Sequence, residues 1–155
     1  MRIAYLADHP DWIPTLARWH QAQWNYLDAG VSVEQRMACL RTHLGRRQIP
    51  TTFVALDSGT LLGSASLIAH DMDTRMDLWP WLASVYVAPA HRRHGVGTAL
   101  VRRAVEEARA LEVGRLYLFT PDKEGFYARL GWSVLERIAY RGYQVVVMAL
   151  DLGQE

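Results

Sequence analysis

The chain has 155 residues, half of them hydrophobic and 21% charged, with 17 Lys and Arg against 16 Asp and Glu for a net charge of +1. That balance excludes a domain-wide field that would carry the molecule onto nucleic acid or anionic lipid, and a single cysteine, Cys39, excludes an internal disulfide. The length suits one domain over residues 1–155. No run of about 18 apolar residues reads as a membrane span, and Arg2, Asp8 and Asp11 interrupt any secretory h-region, so a cytoplasmic protein is expected.

In chain order, Arg2 to Ala7 reads as a short strand, and Asp11 can cap a helix running to Trp24, with Ile13, Leu16, Ala17, His20 and Trp24 at helical spacing. Ser32-Val33-Glu34-Gln35 has the form of a capping box and opens a second helix, whose stripe is Met37, Leu40 and Leu44. Cys39 lies in this helix and is read as buried packing. Thr52 to Leu56 and Leu61 to Ala69 form a hairpin around Asp57-Ser58-Gly59-Thr60. Trp81 to Val87 is the next strand, and Val96 to Ala110 a helix with Leu100, Val101, Ala104, Val105 and Ala108 inward. Then come a strand at Arg115 to Phe119, a short helix at Glu124 to Leu130 stopped by Gly131, and a final strand pair, Ser133 to Ile138 and Tyr143 to Leu150.

Between the strand ending at Val87 and the helix beginning at Val96 stands Arg92-Arg93-His94-Gly95-Val96-Gly97-Thr98. Unpaired N–H groups at a helix N-terminus favour an anion, and two glycines let backbone approach a pyrophosphate closely. Two rival phosphate motifs fail. A dinucleotide fingerprint needs a small residue where Leu100 stands and an acid about 20 positions on, where Tyr117 stands. A Walker A loop needs Gly-Lys, a pair absent from the sequence.

The run Val87-Ala88-Pro89-Ala90-His91-Arg92-Arg93-His94-Gly95-Val96-Gly97-Thr98-Ala99-Leu100 resembles the Arg/Gln-x-x-Gly-x-Gly/Ala motif of the GNAT acetyltransferases. The element order is also that family's, over nearly the whole chain. The resemblance implies the GNAT α/β (α+β) fold: a central mixed, mostly antiparallel sheet, splayed between its fourth and fifth strands and flanked by helices. It implies acetyl-CoA as cosubstrate, with Val85, Tyr86 and Val87 beside the pantetheine arm and the backbone of Arg92, Arg93, His94, Gly95, Val96, Gly97, Thr98 and Ala99 around the pyrophosphate. A strand N–H would polarise the thioester carbonyl, a role worth about 3 kcal/mol. Arg102 or Arg103 would reach the 3′-phosphate.

Phe126-Tyr127-Ala128-Arg129-Leu130-Gly131-Trp132 resembles the family's Phe-Tyr-x-x-x-Gly-Phe segment, which makes Tyr127 the general acid for the departing thiolate. Two positions depart from the pattern. Thr120 stands where many relatives have an Asn against the cofactor arm, and Trp81 and Arg115 stand where relatives carry a general-base Glu. Asp71, Asp73 and His70 are the candidates for the base, with Ser84 as an orienting group. The loop from His70 to Trp81 joins three carboxylates to Trp79 and Trp81, which suits a cationic acceptor; Trp24 and Tyr26, at or after the end of the first helix, border the acceptor cleft by resemblance.

No metal is expected: Met76 and Leu82 stand where a calcium loop starting at Asp71 needs Gly and Glu. The expected activity is transfer of an acetyl group, by direct attack, to a primary amine on a small molecule or peptide. A non-catalytic acyl-CoA-binding sensor is the alternative. Nucleic acid and membrane are not expected partners, and the apolar run Val145 to Leu150 would permit a homodimer.

Overall fold

The computed structural model describes residues 1–153; the last two residues of the expected domain lie outside the described ones. The elements are β1 (Arg2–Tyr5), α1 (Ile13–Trp24), α2 (Val33–Arg41), β2 (Thr51–Asp57), β3 (Thr60–Ile68), β4 (Trp81–Val87), α3 (Val96–Ala110), β5 (Arg115–Thr120), α4 (Glu124–Arg129), β6 (Ser133–Tyr140) and β7 (Tyr143–Asp151). The strands form one sheet in the order β1-β2-β3-β4-β5-β7-β6.

The two-residue period of β2 divides the core. Phe53 and Ala55 join the cluster under α3, with Leu100, Val101, Ala104 and Ala108, while Val54 and Leu56 join Leu16, Ala17 and Leu40 of α1 and α2 on the opposite face. The β2–β3 reversal places Ser58 at φ +52° and Gly59 at φ +82°, the left-handed pair of a two-residue hairpin. At Ser32 both halves of the capping box form, at 3.1 and 2.7 Å.

Neighbouring strands run antiparallel except β4 and β5, which are parallel and pair at one position, Trp81↔Tyr117, before diverging. Beyond that pair β4 and β5 separate, and the sheet opens where backbone groups of β4 face no strand. α3 packs on β3 and β4, which holds its N-terminus beside the C-terminal end of β4.

Several expectations need correction. Asp11 does not cap α1: residues 10–12 form a 3-10 turn headed by Pro10, and the N-cap position falls on Trp12 with no side-chain bond. Cys39 is exposed rather than buried, because it stands two residues, about 200° of helical rotation, beyond Met37 on the stripe. The run Val145 to Leu150 lies within β7, paired on one side with β5 and on the other with β6, so it offers no free edge to a second copy. Among the described residues no helix is long and apolar enough to cross a membrane.

Candidate active site

The opening between β4 and β5 continues into a cavity of about 150 Å³. Leu82, Ala83, Ser84 and Val85 line it from β4, Leu118, Phe119 and Thr120 from β5, Tyr127 from α4, Trp24 from α1, and Asp71 from the loop after β3. Tyr140 and Arg141, at the β6–β7 turn, complete the wall.

At the other end of the opening, α3 starts with a bare N-terminus. Gly95 is its N-cap at φ +81° with no side-chain cap, and the first intrahelical bond is from Ala99 N–H to the Gly95 carbonyl at 3.0 Å. The N–H groups of Val96, Gly97 and Thr98 therefore precede the helix's own ladder. A Cβ on Gly97 would meet Phe126 at 3.4 Å and Val87 at 3.6 Å, so this glycine seats the helix against β4 and α4. The exposed Arg93 and His94 flank the turn. Arg92 is turned onto β4 instead: its Nε–H donates to the Val87 carbonyl at 2.8 Å and its guanidinium lies 5.7 Å from the Tyr86 ring centre.

β4 carries one extra residue opposite β3. Ser64 pairs with Tyr86 and Ser66 with Ala83, so Ala65 faces both Ser84 and Val85, and Ser84 adopts φ +53°. The Ser84 carbonyl accepts from the buried Ser64 hydroxyl at 3.0 Å. The Ser84–Val85 peptide is trans, which points the Val85 N–H opposite to that carbonyl and away from Ser64.

Asp71 is half-buried in the cavity wall, and burial pushes its carboxyl up to about 8; the Asp28 carboxylate adds to the rise and Arg141 opposes it. Tyr127, also in the lining, is buried, and burial, then Asp122, raises its phenol above the ordinary tyrosine value. Thr120 is buried, and its oxygen accepts the Lys123 N–H at 3.0 Å and, more weakly, the Asp122 N–H at 3.4 Å, which shapes the turn from β5 into α4.

Of the aromatic residues expected at the acceptor side, only Trp24 lines the cavity. Trp81 is fully buried with its indole N–H on the Leu78 carbonyl at 2.7 Å, Trp79 is 64% exposed away from the cavity, and Tyr26 packs edge-on against Tyr143 at 4.9 Å. Asp73 is also outside: its carboxylate takes bonds from Arg141 at 3.2 Å and Tyr140 at 3.4 Å. His70 is exposed and outside the lining, and Asp77 is paired with Arg75. Arg103 bonds the buried Glu107 and the Tyr5 hydroxyl, both at 3.2 Å.

The sequence reading missed Asp28, Arg36, Tyr140 and Arg141, all on the cavity wall. No local pattern marks them, since each is brought to the cavity by tertiary packing.

Diverging parallel strands, a bare helix N-terminus at one end of the gap and a deep pocket with an acid and a phenol define a group-transfer enzyme built around an extended phosphate-bearing ligand. A model of the acetyltransferase (GNAT) family matches residues 13–132. Solved structures of that fold superpose along the chain. An aminoglycoside 6′-N-acetyltransferase complexed with coenzyme A has 16% identity and a TM-score of 0.77, covering 100% of this chain and 99% of its own. The acetyltransferase yncA from Salmonella typhimurium, with its cofactor acetyl-CoA, has 23% identity and a TM-score of 0.73, covering 100% and 95%. A ribosomal-protein-alanine N-acetyltransferase from Brucella melitensis has 20% identity and a TM-score of 0.77, covering 97% and 99%. No curated protein sequence matches significantly. The chain belongs to the GNAT acetyltransferase family.

Proposed function

We propose that this enzyme, as one domain acting in the cytosol, moves the acetyl group of acetyl-CoA to a primary amine by direct attack. Asp71 is the base and Tyr127 the acid. The observation that carries this reading is that Asp71, Val85 and Tyr127 line one cavity, entered from the gap between β4 and β5.

In this reading the N–H groups of α3's first turn, with Arg93 and His94, hold the pyrophosphate, and the open side of β4 pairs with the pantetheine arm. That two of the solved structures named above hold coenzyme A or acetyl-CoA supports the choice of ligand. The Val85 N–H donates to the thioester oxygen as negative charge develops there.

The acceptor enters past Trp24 and Asp28. An alkylammonium of pKa about 10.4 is deprotonated at pH 7 in only about one molecule in 2,500. Asp71, with a carboxyl held at about 8, is a stronger base than an ordinary aspartate, so proton transfer to it is less uphill. The amine nitrogen bonds the carbonyl carbon, the tetrahedral intermediate collapses, the C–S bond breaks, Tyr127 delivers its proton to the thiolate, and the second proton shed by the nitrogen restores the phenol.

The test is acetyl-CoA-dependent CoA release across polyamines, aminoglycosides, amino acids and short peptides. Amine-dependent release establishes the reaction and names the acceptor class. Tight acetyl-CoA binding with no release from any of them would favour an acyl-CoA sensor instead.

A further inference from the structure

His20, on α1, is 4% exposed, and its Nε2 lies 2.9 Å from the Ser64 hydroxyl oxygen, which in turn lies 3.0 Å from the Ser84 carbonyl oxygen. The direction of this relay follows from valence. A carbonyl only accepts, so Ser64 must donate to Ser84; the Ser64 oxygen then accepts, so His20 must carry its proton on Nε2. Burial, helped by Arg36 and His43, pushes the imidazole down to about 3, which keeps it in the neutral form the relay requires. The ring is wedged between Trp24, at 5.3 Å, and Tyr86, at 6.1 Å, so it has little room to turn.

The end of the relay is the one residue of β4 in the left-handed region, Ser84 at φ +53°, a conformation that costs a non-glycine residue energy and persists only when its surroundings hold it. Fixing the Ser84 carbonyl on Ser64 fixes the whole trans peptide, including the Val85 N–H on its far side.

We propose that His20 is a positioning residue: through Ser64 it holds the Ser84–Val85 peptide in the orientation that aims the Val85 N–H at the thioester oxygen. This rests on the reading of the cavity as an acetyl-CoA site. A peptide free to rotate would present the donor off its line, and misplacement of this kind reduces an oxyanion donor's effect sharply.

The test needs no acceptor. Acetyl-CoA labelled with ¹³C at the thioester carbonyl is bound to the full-length protein, its affinity measured by calorimetry and its carbonyl stretch by difference infrared spectroscopy. The wild type should move the stretch to lower frequency than in free acetyl-CoA. His20→Phe, which keeps the aromatic wedge but loses the donor, and Ser64→Ala should lose most of that displacement while still binding acetyl-CoA. His20→Gln, which can donate again, should restore it. A merely structural role would weaken binding or melt the protein without moving the stretch of what still binds. If His20→Phe does not fold, Ser64→Ala and Ser64→Thr decide by the same criterion, with Thr expected to retain the displacement. A wild-type displacement unchanged in the folded variants overturns the positioning role alone. A wild type that binds acetyl-CoA without displacement overturns both the donor and its positioning, and failure of the wild type to bind acetyl-CoA overturns the acetyl-CoA reading itself.

Discussion

Arg141 bonds Asp28 at 2.7 Å, joining the tip of the β6–β7 hairpin to the segment after α1 across a separation of 113 residues. The same guanidinium reaches Asp73 at 3.2 Å and opposes the upward shift of Asp71. Arg141→Ala should therefore let the Asp71 carboxyl rise above its present value of about 8 and carry the acid limb of the rate profile to higher pH. The exposed ion pairs themselves are worth little, about 1 kcal/mol or less, so the melting temperature should change only slightly. A pH–rate profile of the variant that moves to lower pH, or not at all, would contradict the electrostatic link.

Asp71→Asn separates the catalytic and the stability consequences of that carboxyl. As a base, Asp71 acts when deprotonated, so wild-type turnover should climb as pH passes through about 8, and the variant should lose about 10²- to 10⁴-fold in rate along with that climb. Stability has the opposite sense. The folded carboxyl sits above its unfolded value of 3.8, so between 3.8 and about 8 the native state holds more protons than the unfolded chain and stability falls as pH rises. Asn removes that loss, so the variant should gain in melting temperature relative to wild type across this window and keep the gain above it. Thermal melts at pH 5 and pH 9 suffice to check the trend.

Tyr127→Phe keeps the ring that packs edge-on against Phe126 and Trp132 at 5.0 and 6.1 Å and removes only the hydroxyl. Acetyl-CoA affinity should stay near wild type while turnover falls about 10²-fold or more. Since burial raises the phenol's pKa, the wild-type rate should show no alkaline decline from Tyr127 below pH 10. Such a decline, present in wild type and absent in the Phe variant, would mean that the hydroxyl titrates much lower than its burial implies.

The elements were largely legible because their signals are local. The stretch from Trp81 to Val87, the helix from Val96 to Ala110 and the Ser32 capping box depend on periodicity, glycine and short-range hydrogen bonds, and they form where those signals lie. The cavity was most legible on the side those elements carry: Ser84, Val85, Thr120 and Tyr127. On the rest of its wall Trp24 and Asp71 were legible but Asp28, Arg36, Tyr140 and Arg141 were not, because composition does not say where a loop turns. The loop from His70 to Trp81 has three carboxylates, yet Asp73 and Asp77 are spent on Arg141 and Arg75, and only Asp71 faces inward. Trp81 carries the residue type of a binding surface but the strand position of a core residue, and the strand period decided.

Gly63 and Gly97 both abut the C-terminal end of β4 and should respond differently to alanine. On β3, a Cβ at Gly63 would lie 2.2 Å from the Tyr86 carbonyl oxygen and 3.2 Å from Val87 Cα, so backbone of β4 itself would have to move. Gly63→Ala should cost about 3 kcal/mol or more, read by urea denaturation, and disturb the bulge at Ser84 on the adjoining stretch of β4. At Gly97 the added methyl would meet the Phe126 ring at 3.4 Å and a Val87 methyl at 3.6 Å, an ordinary contact that a side chain can accommodate, and alanine favours a helix by up to about 1 kcal/mol. Gly97→Ala should therefore fold with stability close to wild type or slightly above it. Any loss it shows should fall on acetyl-CoA affinity, through the first turn of α3, while Gly63→Ala should lose the fold first. Equal destabilisation of the two variants would mean that the close approach at Gly63 does not set the β3–β4 pairing.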